Sequence, residues 1–109
     1  MKIIILFVML GVSLPVVHAA DTFAGVITET MCGAKPHIMF KGRTPAECIN
    51  LCVARGPNVY ALSDGTHVMK LSDQKTATKY PAQNVKVSGT YDEKTNTIRV
   101  ASIEPVDGK

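Results

Sequence analysis

Three cysteines and one histidine are the residues of this sequence that could do the most distinctive chemistry. Cys32 and His37 lie in one short stretch, and Cys48 and Cys52 stand four residues apart. Cysteines at that spacing share one face of a helix, so both thiols would point toward the same neighbour. Thiolate and imidazole ligands suit tetrahedral zinc, and thiolates also bind Cu(I). One hypothesis is therefore a zinc or copper site whose ligands are Cys32, His37, Cys48 and Cys52.

Two other interpretations of the cysteines stay open. Helical Cβ atoms four residues apart are ~5–6 Å from each other, whereas a disulfide needs ~3.5–4.5 Å. A disulfide would therefore join Cys32 to Cys48 or Cys52 and leave one thiol buried. That disulfide would stabilise a domain that contains no metal and binds a small ligand or another protein. If the third thiol instead exchanges with the disulfide, the chain is a thiol–disulfide redox protein, although no Cys-x-x-Cys pair occurs.

No pattern in the sequence indicates an enzyme. Glycine-rich phosphate loops, paired-carboxylate signatures and nucleophile elbows are all missing from it. His67 follows an Asp64-Gly65 turn and is expected at the surface. Methionine thioethers could add ligands for copper, but methionine usually fills the core. The sequence therefore predicts a non-enzymatic binding or structural module, with no catalytic residue assigned.

The beginning of the chain has the layout of a secretory signal peptide. Lys2 is followed by an almost unbroken apolar run over residues 3–14, and Val17-His18-Ala19 places small residues at a cleavage site. We expect residues 1–19 to be removed and residues 20–109 to form one domain, periplasmic or secreted and not attached to a membrane. Export makes an odd number of cysteines informative, because oxidising compartments normally pair thiols.

The charge of the chain argues against nucleic acid as a partner. The formal net charge is +3, and it falls to about +2 when Lys2 leaves with the signal peptide. Single-strand binding surfaces need a basic groove lined with aromatic side chains. Aromatic residues are few here, and several of them are expected to be needed by the core. We therefore expect a small ligand or a protein as the partner.

Pattern and capping signals predict the elements that must position these residues. Thr44-Pro45-Ala46-Glu47 predicts the start of a helix that carries both later cysteines and ends at Gly56-Pro57. Cys48, Leu51 and Cys52 are expected on its inner face. A short helix is predicted near residues 73–79. Period-two alternation predicts five strands, at residues 23–30, 59–63, 66–71, 85–91 and 97–104.

This order of elements predicts a mainly β fold. Apart from the cysteine helix, three strands, a helix and two strands follow one another, as in a five-stranded OB-like barrel. The cysteine helix would then be inserted between strands 1 and 2. The alternative is an open antiparallel sheet with one helix on a face. The barrel is preferred because closure removes exposed edge strands.

The chain also resembles a group of small exported bacterial proteins with an OB-like barrel. The residues that carry this resemblance are a Met-Cys-Gly opening within residues 25–37, the helical pair Cys48 and Cys52, and the runs 85–91 and 98–103. The resemblance covers nearly all of residues 20–109. It implies the fold and the export route, and it implies no activity.

Overall fold

The computed structural model describes Gly11, residues 20–35 and residues 42–106. All seven predicted elements are present there: β1 (Asp21–Glu29), α1 (Pro45–Arg55), β2 (Tyr60–Ser63), β3 (Val68–Leu71), α2 (Gln74–Ala77), β4 (Asn84–Asp92) and β5 (Thr97–Pro105). The predicted signal peptide, except for Gly11, and His37 lie outside the described residues. Within the described ranges, no helix is both long enough and apolar enough to cross a membrane.

The five strands form one sheet that closes into a ring in the order β1-β2-β3-β5-β4. β3 and β5 pair in parallel, and the other neighbours pair antiparallel. β1 closes the ring because its first part pairs with β4 and its last part with β2. Val26 belongs to both pairings, opposite Asn84 on one side and Ser63 on the other. The sheet is therefore closed, not the open alternative.

The core lies inside this ring and is built from the inward positions of all five strands. Its buried members on the strands are Ile27, Tyr60, Leu62, Met69, Leu71, Val85, Val87, Ile98 and Ile103. The two helices add Ile49 and Ala77. The prediction that Leu51 faces inward is wrong in part, because Leu51 is only half-buried. Cys48, Ile49 and Cys52 form the buried stripe of α1 instead.

Two sets of hydrogen bonds fix α1 in place. Thr44 caps its first turn as predicted, because the Thr44 hydroxyl accepts the Glu47 N–H at 3.2 Å and donates to the Glu47 carboxylate at 3.1 Å. Farther along the helix, the Tyr60 hydroxyl donates to Asn50 Oδ1 at 2.7 Å. Since Tyr60 begins β2, this bond fixes α1 against the ring and sets the direction in which Cys52 points.

Gly25 is the position where ring closure leaves no room for a side chain. A Cβ there would collide with the carbonyl oxygen of Ser63 and lie 2.9 Å from its carbonyl carbon. We expect Gly25→Ala to lower the free energy of unfolding by about 1–3 kcal/mol or more, because the backbone of β2 would have to move. Denaturant titration measures this change.

Gly56→Ala is the matched control for the same substitution. Its Cβ would approach no atom closer than 3.6 Å, and the φ of Gly56 is −151°, which alanine adopts freely. We expect its effect to stay below about 1 kcal/mol. Equal losses in the two variants would contradict the close approach of β1 to β2 at Gly25.

Candidate metal centre

The chain after β1 wraps around the carboxylate of Glu29, which is completely buried. The Met31 N–H donates to Glu29 Oε2 at 2.7 Å, and the Cys32 N–H donates to Oε1 at 2.8 Å. The Gly33 N–H donates to the main-chain carbonyl of Glu29 at 3.0 Å. Three successive amides therefore turn toward one residue. This arrangement stabilises a buried negative charge and fixes the backbone of Cys32 beside it.

Gly33 lets this loop close tightly. Its φ is +58°, in the left-handed region where glycine carries no steric penalty. The Thr28 hydroxyl donates to the Gly33 carbonyl at 2.7 Å, and the Lys35 N–H donates to the Cys32 carbonyl at 3.0 Å. Residues 29–35 therefore form a tight turn that is held by both main-chain and side-chain hydrogen bonds.

A second set of bonds holds the loop next to the segment that follows α1. The Thr30 N–H donates to the Val59 carbonyl at 3.1 Å, and the Val59 N–H donates back to the Thr30 hydroxyl at 3.2 Å. The same hydroxyl lies 3.3 Å from Asn58 Oδ1, to which it donates. These bonds join the start of the cysteine loop to the end of the helical segment, and they bring Cys32 close to Cys52.

Three potential ligand atoms meet at this junction. A carboxylate oxygen of Glu29 and the sulfurs of Cys32 and Cys52 all lie within 4.8 Å of one another. Zinc–sulfur bonds of ~2.3 Å and zinc–oxygen bonds of ~2.0–2.2 Å place tetrahedral ligands roughly 3.5–4 Å apart, so small side-chain shifts suffice. Glu29 and Cys52 are buried, whereas Cys32 is half-buried. The cluster is therefore reached from solvent on the Cys32 side.

Burial and the neighbouring carboxylate raise the pKa values of both thiols in the metal-free protein and so favour their protonated forms. The pKa of Cys32 is raised from 9.0 to about 11. Burial is the largest cause, and the hydrogen bond and negative charge of Glu29 account for much of the rest. Burial likewise raises the pKa of Cys52, followed by the charges of Glu29 and Cys48. An arriving cation must displace these protons, and its positive charge reverses the effect that raises the pKa values.

The structure brings together two of the four predicted ligand residues. Cys32 and Cys52 are brought together, and no disulfide joins any of the three cysteines. Cys48 is buried one turn before Cys52 but is not a member of the group of three close ligand atoms. His37 lies outside the described residues. Ligand roles for Cys48 and His37 stay predictions.

Glu29 is the candidate ligand that the sequence pattern does not reveal, because it lies in a segment whose alternation indicates only a strand. The available signal was its register, because Ile27 and Glu29 are two residues apart on β1 and therefore face the same side. A carboxylate on the core face of a strand needs a partner. His67, in contrast, is exposed as predicted, with its Nδ1 3.4 Å from Asp64 Oδ2.

No protein-family model, curated protein or solved structure matches this chain. The comparisons therefore neither support nor contradict the resemblance to small exported OB-like proteins. The chemistry open to Glu29, Cys32 and Cys52 is therefore inferred from the geometry of these residues alone.

A surface cavity of about 440 Å³ lies beside the cysteine loop without including the sulfurs. Gly33 and Lys35 line it from the loop, and Ser63 and Asp64 line it from the end of β2. Its lining carries one positive and one negative side chain, so it has no marked charge preference. The cavity and the Glu29–Cys32–Cys52 cluster are separate features.

The raised pKa of Cys32 predicts how its reactivity changes with pH in metal-free, reduced protein. Alkylation of Cys32 by iodoacetamide should be slow at pH 7 and should rise roughly tenfold per pH unit until about pH 11. Glu29→Gln should lower the pKa toward its ordinary value and speed alkylation at pH 8. Peptide mass mapping resolves Cys32 from the other cysteines.

Glu47→Gln is the control for this measurement. Glu47 is an exposed carboxylate at the start of α1, bound to Arg43 and Thr44. Its removal should leave the alkylation profile of Cys32 unchanged. A Cys32 that already alkylates fully at pH 8 in the unmodified protein would contradict the protecting role of Glu29 and burial.

Proposed function

We propose that this chain is an exported, non-enzymatic domain that binds one zinc ion through Glu29, Cys32 and Cys52. The observation that carries the proposal is the convergence of these three ligand atoms, from the end of β1, its loop and α1, within 4.8 Å. Glu29 accepts backbone N–H groups at both oxygens, and a cation bound beside the two thiols would add positive charge to a carboxylate that is removed from water. With both thiols deprotonated, the carboxylate and the two thiolates would carry three negative charges, and a divalent ion would neutralise two of them.

The donor set favours zinc over copper among the two predicted metals. Cu(I) prefers soft ligands such as thiolates and thioethers, whereas a carboxylate oxygen is a hard ligand. Zinc accepts sulfur and oxygen ligands together in a tetrahedral site. One of the three ligand atoms here is a carboxylate oxygen whose direction is already fixed by two backbone N–H groups.

Zinc with three protein ligands has a fourth position to fill. Cys48 is the nearest predicted candidate on α1, since it is one helical turn from Cys52. His37 is the other predicted candidate, five residues after Cys32 in the sequence. Water is the third, because the half-buried Cys32 leaves a path from solvent. Variants of Cys48 and His37 decide among the three.

We further propose that the closed sheet is an OB-like barrel and that the zinc ion joins the inserted helix to it. The strand order, the sharing of β1 between β2 and β4, and the position of α2 between β3 and β4 support this assignment. An ion bound between the end of β1 and α1 would add to the attachment that the buried Cys48 and Ile49 and the Asn50–Tyr60 hydrogen bond already give this helix. Zinc would then stabilise the folded state by mass action.

The direct test measures zinc bound to the reduced, purified chain. We expect one zinc ion per chain, with affinity lowered at least about 100-fold by Cys32→Ala or Cys52→Ala, and lowered also by Glu29→Gln, because each removes a ligand. Competition with a chromogenic chelator measures the affinities. Zinc should also raise the melting temperature of the unmodified chain but not of the cysteine variants.

His67→Ala is the matched control, since His67 is exposed and lies outside the cluster. It should bind zinc as the unmodified chain does. A chain that holds no stoichiometric zinc and carries a single alkylatable thiol would contradict the metal site and support the disulfide-stapled alternative. Wild-type affinity in both Cys32→Ala and Cys52→Ala would also overturn the proposal.

Export is tested separately from metal binding. Expression in a bacterium should yield a periplasmic or secreted protein whose first residue is Ala20. Ala19→Phe should block cleavage because it places a large side chain at the cleavage position, whereas Ala20→Phe, one residue beyond, should not. Intact mass of the fractionated protein reports both results. A cytoplasmic chain that retains residues 1–19 would contradict export.

A further inference from the structure

We propose that Cys32 and Cys52 also form a reversible disulfide, so that zinc occupancy and oxidation of this site exclude each other. The exclusion rests on the proposed zinc function, whereas the disulfide rests only on the placement of the two sulfurs. The site would then hold zinc in its reduced form and release the ion when a disulfide oxidant reaches it.

The positions of the cysteines favour this pair among the three possible ones, and Cys48 is not a member of the group of close ligand atoms that contains Cys32. The sulfurs of Cys32 and Cys52 lie within 4.8 Å of each other, one on a loop and the other on α1. A bridge at ~2.05 Å requires the two side chains to approach, and the loop position of Cys32 allows this without disturbing a helix. Cys48 and Cys52 lie four apart on one helix, so a bridge between them would distort it.

Exposure decides which sulfur reacts first. Cys32 is half-buried, whereas Cys52 is 4 % exposed and Cys48 is 1 % exposed. A small disulfide from solvent therefore reaches Cys32 and leaves the other two sulfurs shielded. Cys52, as the close neighbour, is then the thiol placed to attack Cys32.

The reaction is a balanced two-step exchange with a low-molecular-weight disulfide such as glutathione disulfide. The Cys32 thiolate attacks one sulfur of the oxidant, which forms a mixed disulfide and releases one glutathione thiolate. The Cys52 thiolate then attacks Cys32 Sγ, which forms the protein disulfide and releases the second glutathione thiolate. The protein loses two electrons and two protons, and one glutathione disulfide becomes two glutathione molecules.

Oxidation removes two of the three ligands at once. Thiolates are the ligand form of cysteine, and a disulfide sulfur no longer carries the negative charge that holds zinc. Glu29 alone would remain, with both of its oxygens already accepting backbone N–H groups. Bound zinc conversely occupies the lone pairs that attack the oxidant, so it slows oxidation.

The test treats zinc-loaded and metal-free protein with excess glutathione disulfide. A chromogenic chelator follows released zinc, and alkylation with peptide mass mapping locates the disulfide. We expect one zinc ion released per Cys32–Cys52 disulfide formed, with oxidation at least about tenfold slower in the zinc-loaded protein than in the metal-free protein. Added dithiothreitol should restore zinc binding.

Cys48→Ala is the informative variant, because it leaves only the proposed pair and places a small apolar residue in a buried helical position. In the metal-free state, where no ligand role of Cys48 enters, it should oxidise at the rate of the metal-free unmodified chain. A disulfide mapped to Cys32–Cys48, or loss of oxidation in Cys48→Ala while its circular dichroism is unchanged, would overturn the proposed pair. Zinc that stays bound while the Cys32–Cys52 disulfide forms would overturn the exclusion.

The outcomes also separate this inference from the proposed function. A chain that binds zinc but keeps free thiols under glutathione disulfide contradicts the disulfide alone. A chain that forms the Cys32–Cys52 disulfide but never binds zinc supports the pair, contradicts the metal site and removes the exclusion with it.

Discussion

The burial of the Glu29 carboxylate is the constraint on which the rest of the site depends. A carboxylate removed from water must be compensated by hydrogen bonds or by positive charge, or its ionised form becomes very costly. Here the first compensation comes from the N–H groups of Met31 and Cys32. Meeting that requirement determines the path of the loop, and the path of the loop places the Cys32 sulfur. The position of the Cys32 sulfur is thus a consequence of how the buried carboxylate of Glu29 obtains its hydrogen bonds.

The ring places Glu29 where the helix can meet it. Glu29 pairs with Tyr60 at the beginning of β2, and the Tyr60 hydroxyl holds Asn50 of α1. The backbone of Tyr60 is held in turn by the side chain of Gln74, which accepts its N–H at 2.8 Å and donates to its carbonyl at 2.9 Å. The pairing of β1 with β2, the hydrogen bond from Tyr60 to α1 and the side chain of Gln74 on α2 therefore all fix the position of Tyr60 beside Glu29.

The sequence was sufficient for the elements because their signals are local. Alternation gave the five strands, and the Thr44 cap and the Asp64-Gly65 turn marked a helix start and a hairpin. The site was predicted only in part, because its geometry depends on contacts between residues distant in the chain. Helix geometry disfavoured a bridge between Cys48 and Cys52 but left Cys32 free to approach either of them. Glu29 required knowing that β1 turns this face inward at its last residue. The choice between Leu51 and Ile49 has the same limit, because the sequence alone does not show which of them is buried. Either could complete a helical stripe with Cys48 and Cys52.

The bonds between Thr30 and Val59 have a consequence for how this fold could have been assembled. The chain leaves the ring at Thr30 and returns at Val59, and the backbones of these two residues are within hydrogen-bond distance of each other. The segment between them, described over residues 31–35 and 42–58, therefore departs from the ring and returns to it at adjacent positions. Its loss would re-pair no strand, but it would remove Ile49 from the core and the Met31 and Cys32 N–H groups that donate to the buried Glu29 carboxylate. Cys52 belongs to this segment, whereas the carboxylate that it approaches belongs to the ring itself.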